Sequence, residues 1–313
     1  MAKNILIELP TWLGDSVMTT PAIENIFQKF KDAKFSFIGP KTSLEVFKYH
    51  PRAIDFFVFD KSLNSSLKIL KKRNQYDFFI SFRSSFRSKI LGLFINSDIK
   101  TYYKKKKFNQ KHQVEKYSSY INEVLNLKNK TGNLKIYLRK DENKDYKNII
   151  GISPGAKYGN SKCWPLERYA ELAVELSKEY KVVIFGSESD TATAEKIVNI
   201  TNKKLETNIE NLTGKTSIVE LCVYMKSMKM FITGDSGSMH IAAAFQTPTI
   251  SIFGSTDSVA TCQWNNKNSK LIKKNLSCQP CMKRECPLGH HRCMKDIQSD
   301  EVILEAKKLL RKV

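Results

Sequence analysis

The sequence predicts an α/β protein of two similar domains, each a parallel β-sheet covered by helices. Short apolar segments of strand length alternate with longer segments whose apolar residues recur at helical spacing. The alternation runs twice, and a strongly charged linker at residues 139–148 separates the two runs. The 313 residues are enough for two hydrophobic cores. We expect domains at residues 1–145 and 146–313, and leave open that the final helix packs back on the first domain.

In the first half, apolar runs predict strands and helical spacing predicts helices. The strands are residues 4–9, 35–39, 56–59 and 78–82. A turn at residues 10–15 follows the first strand. Thr20 and Pro21 then indicate a helix start, because proline is favoured at the first helical position. Residues 114–125 predict a further amphipathic helix.

The second half repeats the pattern after the linker. Its strands are residues 149–153, 182–185, 231–232 and 249–253. Its helices begin near residues 165, 191, 217 and 299. In open parallel sheets, ligands bind at the edge where the carboxyl ends of the strands meet the next helices. We therefore look for functional residues directly after the predicted strands.

The chain is strongly basic, and the excess is concentrated in the first domain. The net charge is +21, of which residues 1–148 carry +15. A basic face suits a phosphate-bearing partner, which leaves nucleic acid, anionic lipid and phosphorylated glycolipid open. A lysine-rich genome bias would also give many merely solvated lysines. There is no secretory signal pattern and no apolar run near the ~20 residues that span a bilayer, so we expect a cytoplasmic protein.

A turn between strand 231–232 and a helix of small apolar residues is the first candidate site. Its residues are Gly234, Asp235, Ser236 and Gly237, and His240 lies one helical turn further on. A helix N-terminus presents unpaired N–H groups to a phosphate or sugar hydroxyl, and the glycines let the backbone approach a ligand. Equally, Asp235 or Ser236 would serve as an ordinary helix cap.

Two further groups follow strands of the first domain. Asp15 lies in the turn after the first strand, where a carboxylate can act as general base for a hydroxyl or cap the next helix. Arg83 and Arg87 follow the strand at residues 78–82 and are candidates for binding acceptor phosphates, as is the lysine run at 104–107. Solvated surface charge is the alternative for these cations.

The second domain has two more sites of this kind. Ser153 and Gly155 follow its first strand, and Lys162 precedes the next helix, where it suits a diphosphate or is simply a surface lysine. Glu188 and Asp190 follow the strand at residues 182–185. Acids at this position often hold ribose hydroxyls in nucleotide-binding sheets, but they also cap helices.

Four of the seven cysteines form a compact motif near the C-terminus. Cys278, Cys281, Cys286 and Cys293 have the spacing C-x2-C-x4-C-x6-C, with His290 and His291 inside it. This set could ligate zinc or an iron–sulfur cluster. A loop of reduced thiols, with one pair close enough to oxidise, explains it equally well.

Several of these segments together resemble one family. They are Leu13-Gly14-Asp15 with Pro21-Ala22-Ile23, Pro154-Gly155-Ala156, Lys162 with Trp164-Pro165, Gly234-Asp235-Ser236-Gly237 with His240, and Ile252-Phe253-Gly254. In this order they resemble the ADP-heptose:lipopolysaccharide heptosyltransferases, glycosyltransferase family 9. The cysteine loop with Gly289-His290-His291 resembles the branch that adds the second heptose of the inner core.

The resemblance implies a GT-B fold, with two facing Rossmann-like domains and a cleft between them. It also implies inverting transfer with no metal and no cofactor. Asp15 matches the catalytic base, and Lys162 matches the lysine that stabilises the departing ADP. By the same resemblance, a set of second-domain residues would bind the donor: Ser153, Gly155, Lys162, Asp235, Ser236, Gly237, His240, and Glu188 or Asp190 at the ribose. The family does not need the cysteines for catalysis, which favours a structural role.

The implied partners are an ADP-heptose donor and a phosphorylated lipid A–Kdo–heptose acceptor, bound partly by Arg83 and Arg87. We expect a monomer that associates peripherally with the cytoplasmic membrane face and binds no nucleic acid. Another GT-B sugar-nucleotide transferase or an epimerase is the alternative. A zinc-loop nucleic-acid-binding protein fits less well, because aromatic residues are not interleaved with the basic run.

Overall fold

The computed structural model describes residues 3–59, 75–139, 144–202 and 209–312. Internal contacts divide the chain into two compact units, Met1–Arg139 and Lys140–Val313. Part of the predicted linker, residues 140–143, lies outside the described residues. None of the helices in the described ranges is long and apolar enough to cross a membrane.

The first unit is a five-stranded parallel sheet with helices. Its strands are β1 (Asn4–Glu8), β2 (Lys34–Gly39), β3 (Ala53–Val58), β4 (Tyr76–Ser81) and β5 (Ser97–Tyr102), in the order β3-β2-β1-β4-β5. Its helices are α1 (Leu13–Met18), α2 (Thr20–Lys29), α3 (Lys41–Glu45), α4 (Phe86–Phe94) and α5 (Gln113–Val124). Every pairing between neighbouring strands is parallel. The carboxyl ends of β1 and β4 therefore lie at one edge.

The centre of the first sheet explains why β1 is so apolar. Ile5, Leu6 and Ile7 are fully buried, because β1 is flanked by β2 and β4 and covered on both faces. Glu8 ends the strand and is also fully buried. A carboxylate buried at the end of a central strand needs polar partners, and these belong to the candidate site.

Glu24 of α2 ties that helix to two later segments of the first unit. Its Oε1 lies 3.1 Å from the His50 ring and accepts from the Tyr137 hydroxyl at 3.1 Å, and Lys135 Nζ lies 3.6 Å from Oε2. Burial raises the pKa of Glu24, but these partners outweigh it and the net pKa is lowered.

A carboxyl whose pKa is lower in the folded state stabilises the fold above its unfolded pKa and loses that effect as the pH falls. Glu24→Gln should therefore lower the free energy of unfolding by about 1 kcal/mol near neutral pH. The difference should shrink as the pH falls below the ordinary value of 4.5. Urea unfolding of both proteins across this range checks it, and a difference that grows in acid would contradict it.

The second unit is a six-stranded parallel sheet. Its strands are β6 (Ile149–Ser153), β7 (Lys181–Ile184), β8 (Ile209–Asn211), β9 (Met230–Gly234), β10 (Thr249–Phe253) and β11 (Ser269–Lys273), in the order β11-β10-β9-β6-β7-β8. Its helices are α6 (Leu166–Ser177), α7 (Thr191–Asn202), α8 (Ile218–Ser227), α9 (Gly237–Ala244), α10 (Ser258–Thr261), α11 (Arg292–Lys295) and α12 (Ser299–Leu310). All pairings are parallel, as the alternation predicts.

The last helix, α12, belongs to the core of the second unit. Its Val302 and Ala306 are fully buried in the same cluster as Ile152 of β6 and Ile232 of β9. The indole N–H of Trp164 donates to the Ile297 carbonyl oxygen at 2.9 Å, just before this helix. These contacts tie the end of the chain to the segment that precedes α6.

Candidate functional site

Asp15 lies in the first turn of α1, not in the preceding turn as the sequence predicts. The N-cap position belongs to Trp12, so Asp15 does not cap this helix. Its carboxylate oxygen Oδ1 instead accepts a hydrogen bond of 3.2 Å from the hydroxyl of Tyr117, on α5. The Asp15 side chain is half-buried. It is therefore accessible and oriented by a neighbour from a distant part of the chain.

Tyr117 is suited to remain a donor at this site. The side chain is buried, and burial raises the pKa of Tyr117 well above its ordinary value, with a further contribution from the Asp15 charge. Nearby, the Gln113 side chain donates to the Tyr103 hydroxyl at 3.0 Å. Burial also raises the pKa of Tyr103. The phenols stay protonated, so the Tyr117 hydroxyl remains a hydrogen-bond donor to the Asp15 carboxylate.

Glu8 and Arg83 form a second polar cluster at the carboxyl edge of the first sheet. Glu8 accepts from Ser81 Oγ at 2.6 Å and from Ser88 Oγ, and Arg83 Nη1 lies 3.4 Å from its other oxygen. Burial raises the pKa of Glu8, and these partners counteract that rise. Arg83 is thus held in place by a buried carboxylate. Arg87, on α4, lies over the Phe59 ring at 4.8 Å.

In the second unit, Lys162 and Asp235 come together although they are far apart in sequence. Lys162 ends a 3₁₀ turn (Asn160–Lys162), and its Nζ lies 2.5 Å from Asp235 Oδ2 and 3.3 Å from the Asp235 carbonyl oxygen. Thr256 Oγ1 donates to the same carboxylate at 2.7 Å. The Asp235 side chain is 8% exposed, so water screens this ion pair weakly. Asp235 fixes the Lys162 ammonium beside the amino end of α9.

The turn from β9 to α9 carries the other predicted donor residues. Ser236 is the N-cap, and its Oγ exchanges hydrogen bonds with Thr233 Oγ1 at 2.9 Å and Ser238 Oγ at 2.8 Å. Gly237 opens the helix, and its N–H is among those a helix N-terminus leaves without an intrahelical partner. His240, one turn on, is buried.

Glu188 and Asp190 both follow β7, but their side chains have different surroundings. The Asp190 carboxylate accepts from the Ser187 N–H at 2.8 Å and the Ser187 hydroxyl at 2.7 Å, which makes it a local capping group. It also packs against Gly155, where an added Cβ would lie 2.2 Å from Asp190 Oδ1. Glu188 is exposed. Ser153, at the end of β6, is buried.

The cysteine loop braces the turn that carries Lys162. The Tyr158 hydroxyl donates to the Met282 carbonyl oxygen at 2.8 Å, Ser161 Oγ donates to the Lys283 carbonyl oxygen at 2.5 Å, and the His291 ring lies 3.1 Å from the Ser161 carbonyl oxygen. These bonds join two segments well separated in sequence. They give the loop a structural role next to Lys162.

The four cysteines of this loop are free thiols. Burial raises the pKa of Cys293 to about 11, and the charges of the other three contribute to the rise. Backbone N–H groups, first that of His291, lower the pKa of Cys286. Within the described ranges, no three His, Cys, Asp or Glu side chains are placed to hold one metal ion.

The sequence singles out neither Tyr117 nor Glu8. Tyr117 lies on a helix that the sequence does predict, but no local pattern marks its hydroxyl as the partner of a carboxylate 102 positions away. Glu8 had a usable signal, because a charged residue inside an apolar strand needs a buried partner. Its partners, Ser81 and Arg83, follow another strand.

Comparisons with known proteins identify the family and the fold of this chain. A family model, Glycosyltransferase family 9 (heptosyltransferase), matches residues 65–292. Lipooligosaccharide heptosyltransferase 2 of Campylobacter jejuni is 36% identical over 317 residues, covering 98% of each chain. The solved structure of Escherichia coli ADP-heptose lps heptosyltransferase II matches with a TM-score of 0.83 at 22% identity, covering 99% of each chain. A family 9 glycosyl transferase from Veillonella parvula matches with 0.84 at 20% identity, covering 99% of this chain and 98% of its own. The predicted fold class is confirmed.

Proposed function

Because the chain belongs to glycosyltransferase family 9, the heptosyltransferases, we propose that it transfers heptose from ADP-L-glycero-D-manno-heptose to the first heptose of the lipopolysaccharide or lipooligosaccharide inner core. The family membership confirms the resemblance noted from the motifs. The Lys162–Asp235 ion pair at the amino end of α9 supports the donor part of the proposal most directly. It holds a cation where a diphosphate would bind.

The proposed reaction inverts the anomeric configuration in one displacement. Asp15 takes the proton from an acceptor heptose hydroxyl as that oxygen attacks the anomeric carbon of the donor. The new C–O bond forms while the bond to the ADP oxygen breaks, so the proton ends on Asp15 and the electron pair on ADP. The Tyr117 hydroxyl supports this role, because it occupies one carboxylate oxygen and orients the other.

The departing ADP gains negative charge, and the residues of the second unit are suited to stabilise it. The Lys162 ammonium and the N–H groups at the start of α9, with Ser236 and Gly237, would contact the diphosphate without a metal ion. Asp235 holds Lys162 in position, and the buried His240 lies one helical turn beyond Gly237. Glu188 is the better candidate for the ribose hydroxyls, because the Asp190 carboxylate already caps a helix beside Gly155.

We also propose an acceptor and a cellular location for this enzyme. A phosphorylated lipid A–Kdo–heptose acceptor would be bound partly by Arg83 and Arg87, with the enzyme a monomer peripheral to the cytoplasmic membrane face. The high positive charge of residues 1–148 supports an anionic acceptor. Glu8 would keep Arg83 rigid for that contact.

The decisive experiment combines purified protein with ADP-heptose and a heptose-terminated core acceptor in the presence of a chelator, and follows ADP release. Inversion is checked from the anomeric configuration of the product by NMR. No ADP release with this pair would overturn the proposal. A thermal-shift screen of donors separates the alternatives, since only a true donor should stabilise the folded state. Stabilisation by another sugar nucleotide alone would favour a different GT-B transferase or an epimerase.

Tyr117→Phe tests how Asp15 is oriented. Loss of the hydroxyl removes a donor from the ionised carboxylate, so the acid limb of the kcat/KM profile should move to higher pH. The plateau rate should fall less than tenfold, about 1 kcal/mol. Tyr120→Phe is the matched control, because Tyr120 lies on the same helix and donates to Thr101. An equal displacement of the profile in both variants would contradict the assignment.

A further inference from the structure

Helix α4 has an exposed apolar stripe directly opposite its buried face. Ser88, Leu91 and Gly92 are buried against the first unit. On the other side the exposed residues are Phe86 (76% exposed), Ile90 (40%), Leu93 (79%) and Phe94 (60%). At 3.6 residues per turn these four positions fall within about 100° of the helix surface. Exposed apolar patches of this kind mark interaction sites.

Cations border the stripe, and the helix carries no acid. Lys89 lies on one side of the stripe by helical position and Arg87 on the other. The following strand β5 carries an exposed Lys100 and an exposed Asp98, so it adds no net charge. The stripe is therefore apolar along its middle and has one cation on each side.

We propose that this stripe of α4 docks the enzyme on an anionic phospholipid bilayer. The four apolar side chains would enter the acyl region, and Arg87 and Lys89 would contact the phosphate headgroups, as in interfacial amphipathic helices. A second copy of this chain is a poorer occupant, because it would bring the same cations together without an acid on either helix to pair with them. A bilayer supplies both the apolar interior and the negative charge.

The position of α4 connects this surface with acceptor binding. Arg83 precedes the helix by three residues, and Ser88 of the same helix bonds to Glu8 at the carboxyl edge of the sheet. A bilayer against α4 would hold a lipid-linked acceptor close to Arg83. In this respect the inference rests on the proposed function, although the docking surface can be tested without any sugar substrate.

The test measures sedimentation of the full-length protein with vesicles of phosphatidylethanolamine and phosphatidylglycerol. The variant Leu93→Asn with Phe94→Asn should bind these vesicles about tenfold more weakly than the wild type. The matched control is Leu304→Asn, which replaces a 54% exposed leucine on α12 and should bind like the wild type. Both variants should keep the wild-type melting temperature, because the replaced side chains face solvent.

The results that would contradict the docking proposal differ in which part of it they overturn. Equal vesicle binding by the wild type and the α4 variant, or no binding by the wild type, overturns the proposal. Equal binding to phosphatidylcholine vesicles overturns the anionic-lipid assignment, and a wild-type dimer that the α4 variant abolishes assigns the stripe to self-association instead. Transfer to a water-soluble, deacylated acceptor is assayed in parallel and should be unchanged in the α4 variant. Absent transfer with intact vesicle binding would refute the proposed function alone.

Discussion

Asp15→Ala is expected to lower kcat for heptose transfer by about 100-fold to 10,000-fold, the range that a general base contributes. Without the carboxylate, nothing at this position accepts the proton of the attacking hydroxyl. Affinity for ADP should change less than twofold, about 0.4 kcal/mol, because the proposed nucleotide contacts lie on the second unit. Steady-state ADP release and calorimetric titration of ADP measure the two effects separately.

Asp32→Ala is the matched control for Asp15→Ala. It removes an exposed carboxylate from the same unit and should leave both measurements unchanged. Asp15→Asn adds a stricter comparison, since it keeps the size of the side chain and removes only its basicity. Full turnover by either Asp15 variant would eliminate this residue as the base. That conclusion would not depend on which residues of the second unit bind the donor.

Replacing Lys162 should have the second largest effect, and it should reach both catalysis and stability. Lys162→Met removes the cation proposed to stabilise departing ADP, so kcat should fall by about 100-fold or more. It also leaves the Asp235 carboxylate buried without its ion-pair partner. That uncompensated charge should destabilise the second unit by about 3 kcal/mol.

The double variant Lys162→Met with Asp235→Asn separates these two effects. It removes both charges, so the melting temperature should recover while transfer stays low. Lys270→Ala serves as control, because it breaks an exposed ion pair with Glu305 and should cost less than about 1 kcal/mol with normal transfer. Recovery of transfer together with stability would show that Lys162 acts only as a structural partner of Asp235.

The sequence predicts the central strands well because they are buried on both faces. Strand β1 and the glycine turn before α9 carry unmistakable local patterns. Strand β5 was missed, because it lies at an edge and alternates little: among its six residues only Ile99 and Tyr102 are large and apolar. Strands β8 and β11, which the sequence did not predict either, are edge strands too.

The sequence indicated the individual residues of the candidate site, but it did not indicate which of them contact one another. Lys162 and Asp235 were each expected to meet the donor, whereas their ion pair depends on how β6 and β9 are placed side by side. The proposed preference for Glu188 over Asp190 likewise rests on the observed capping bonds of Asp190. Pairings across 73 positions arise from sheet topology, which local spacing does not encode.

The cysteine loop is hydrogen-bonded to the turn at residues 158–162, so the nucleotide binding proposed for Lys162 should depend on the state of the loop thiols. An alkylating or oxidising reagent that displaced this loop would remove the hydrogen bonds that hold Ser161. The neighbouring Lys162 ammonium would then be held less firmly. Under the proposed function, such a reagent would weaken the binding of ADP without itself contacting Lys162. Bound nucleotide, in return, would slow the labelling of Cys286, whose thiolate is favoured by nearby backbone N–H groups.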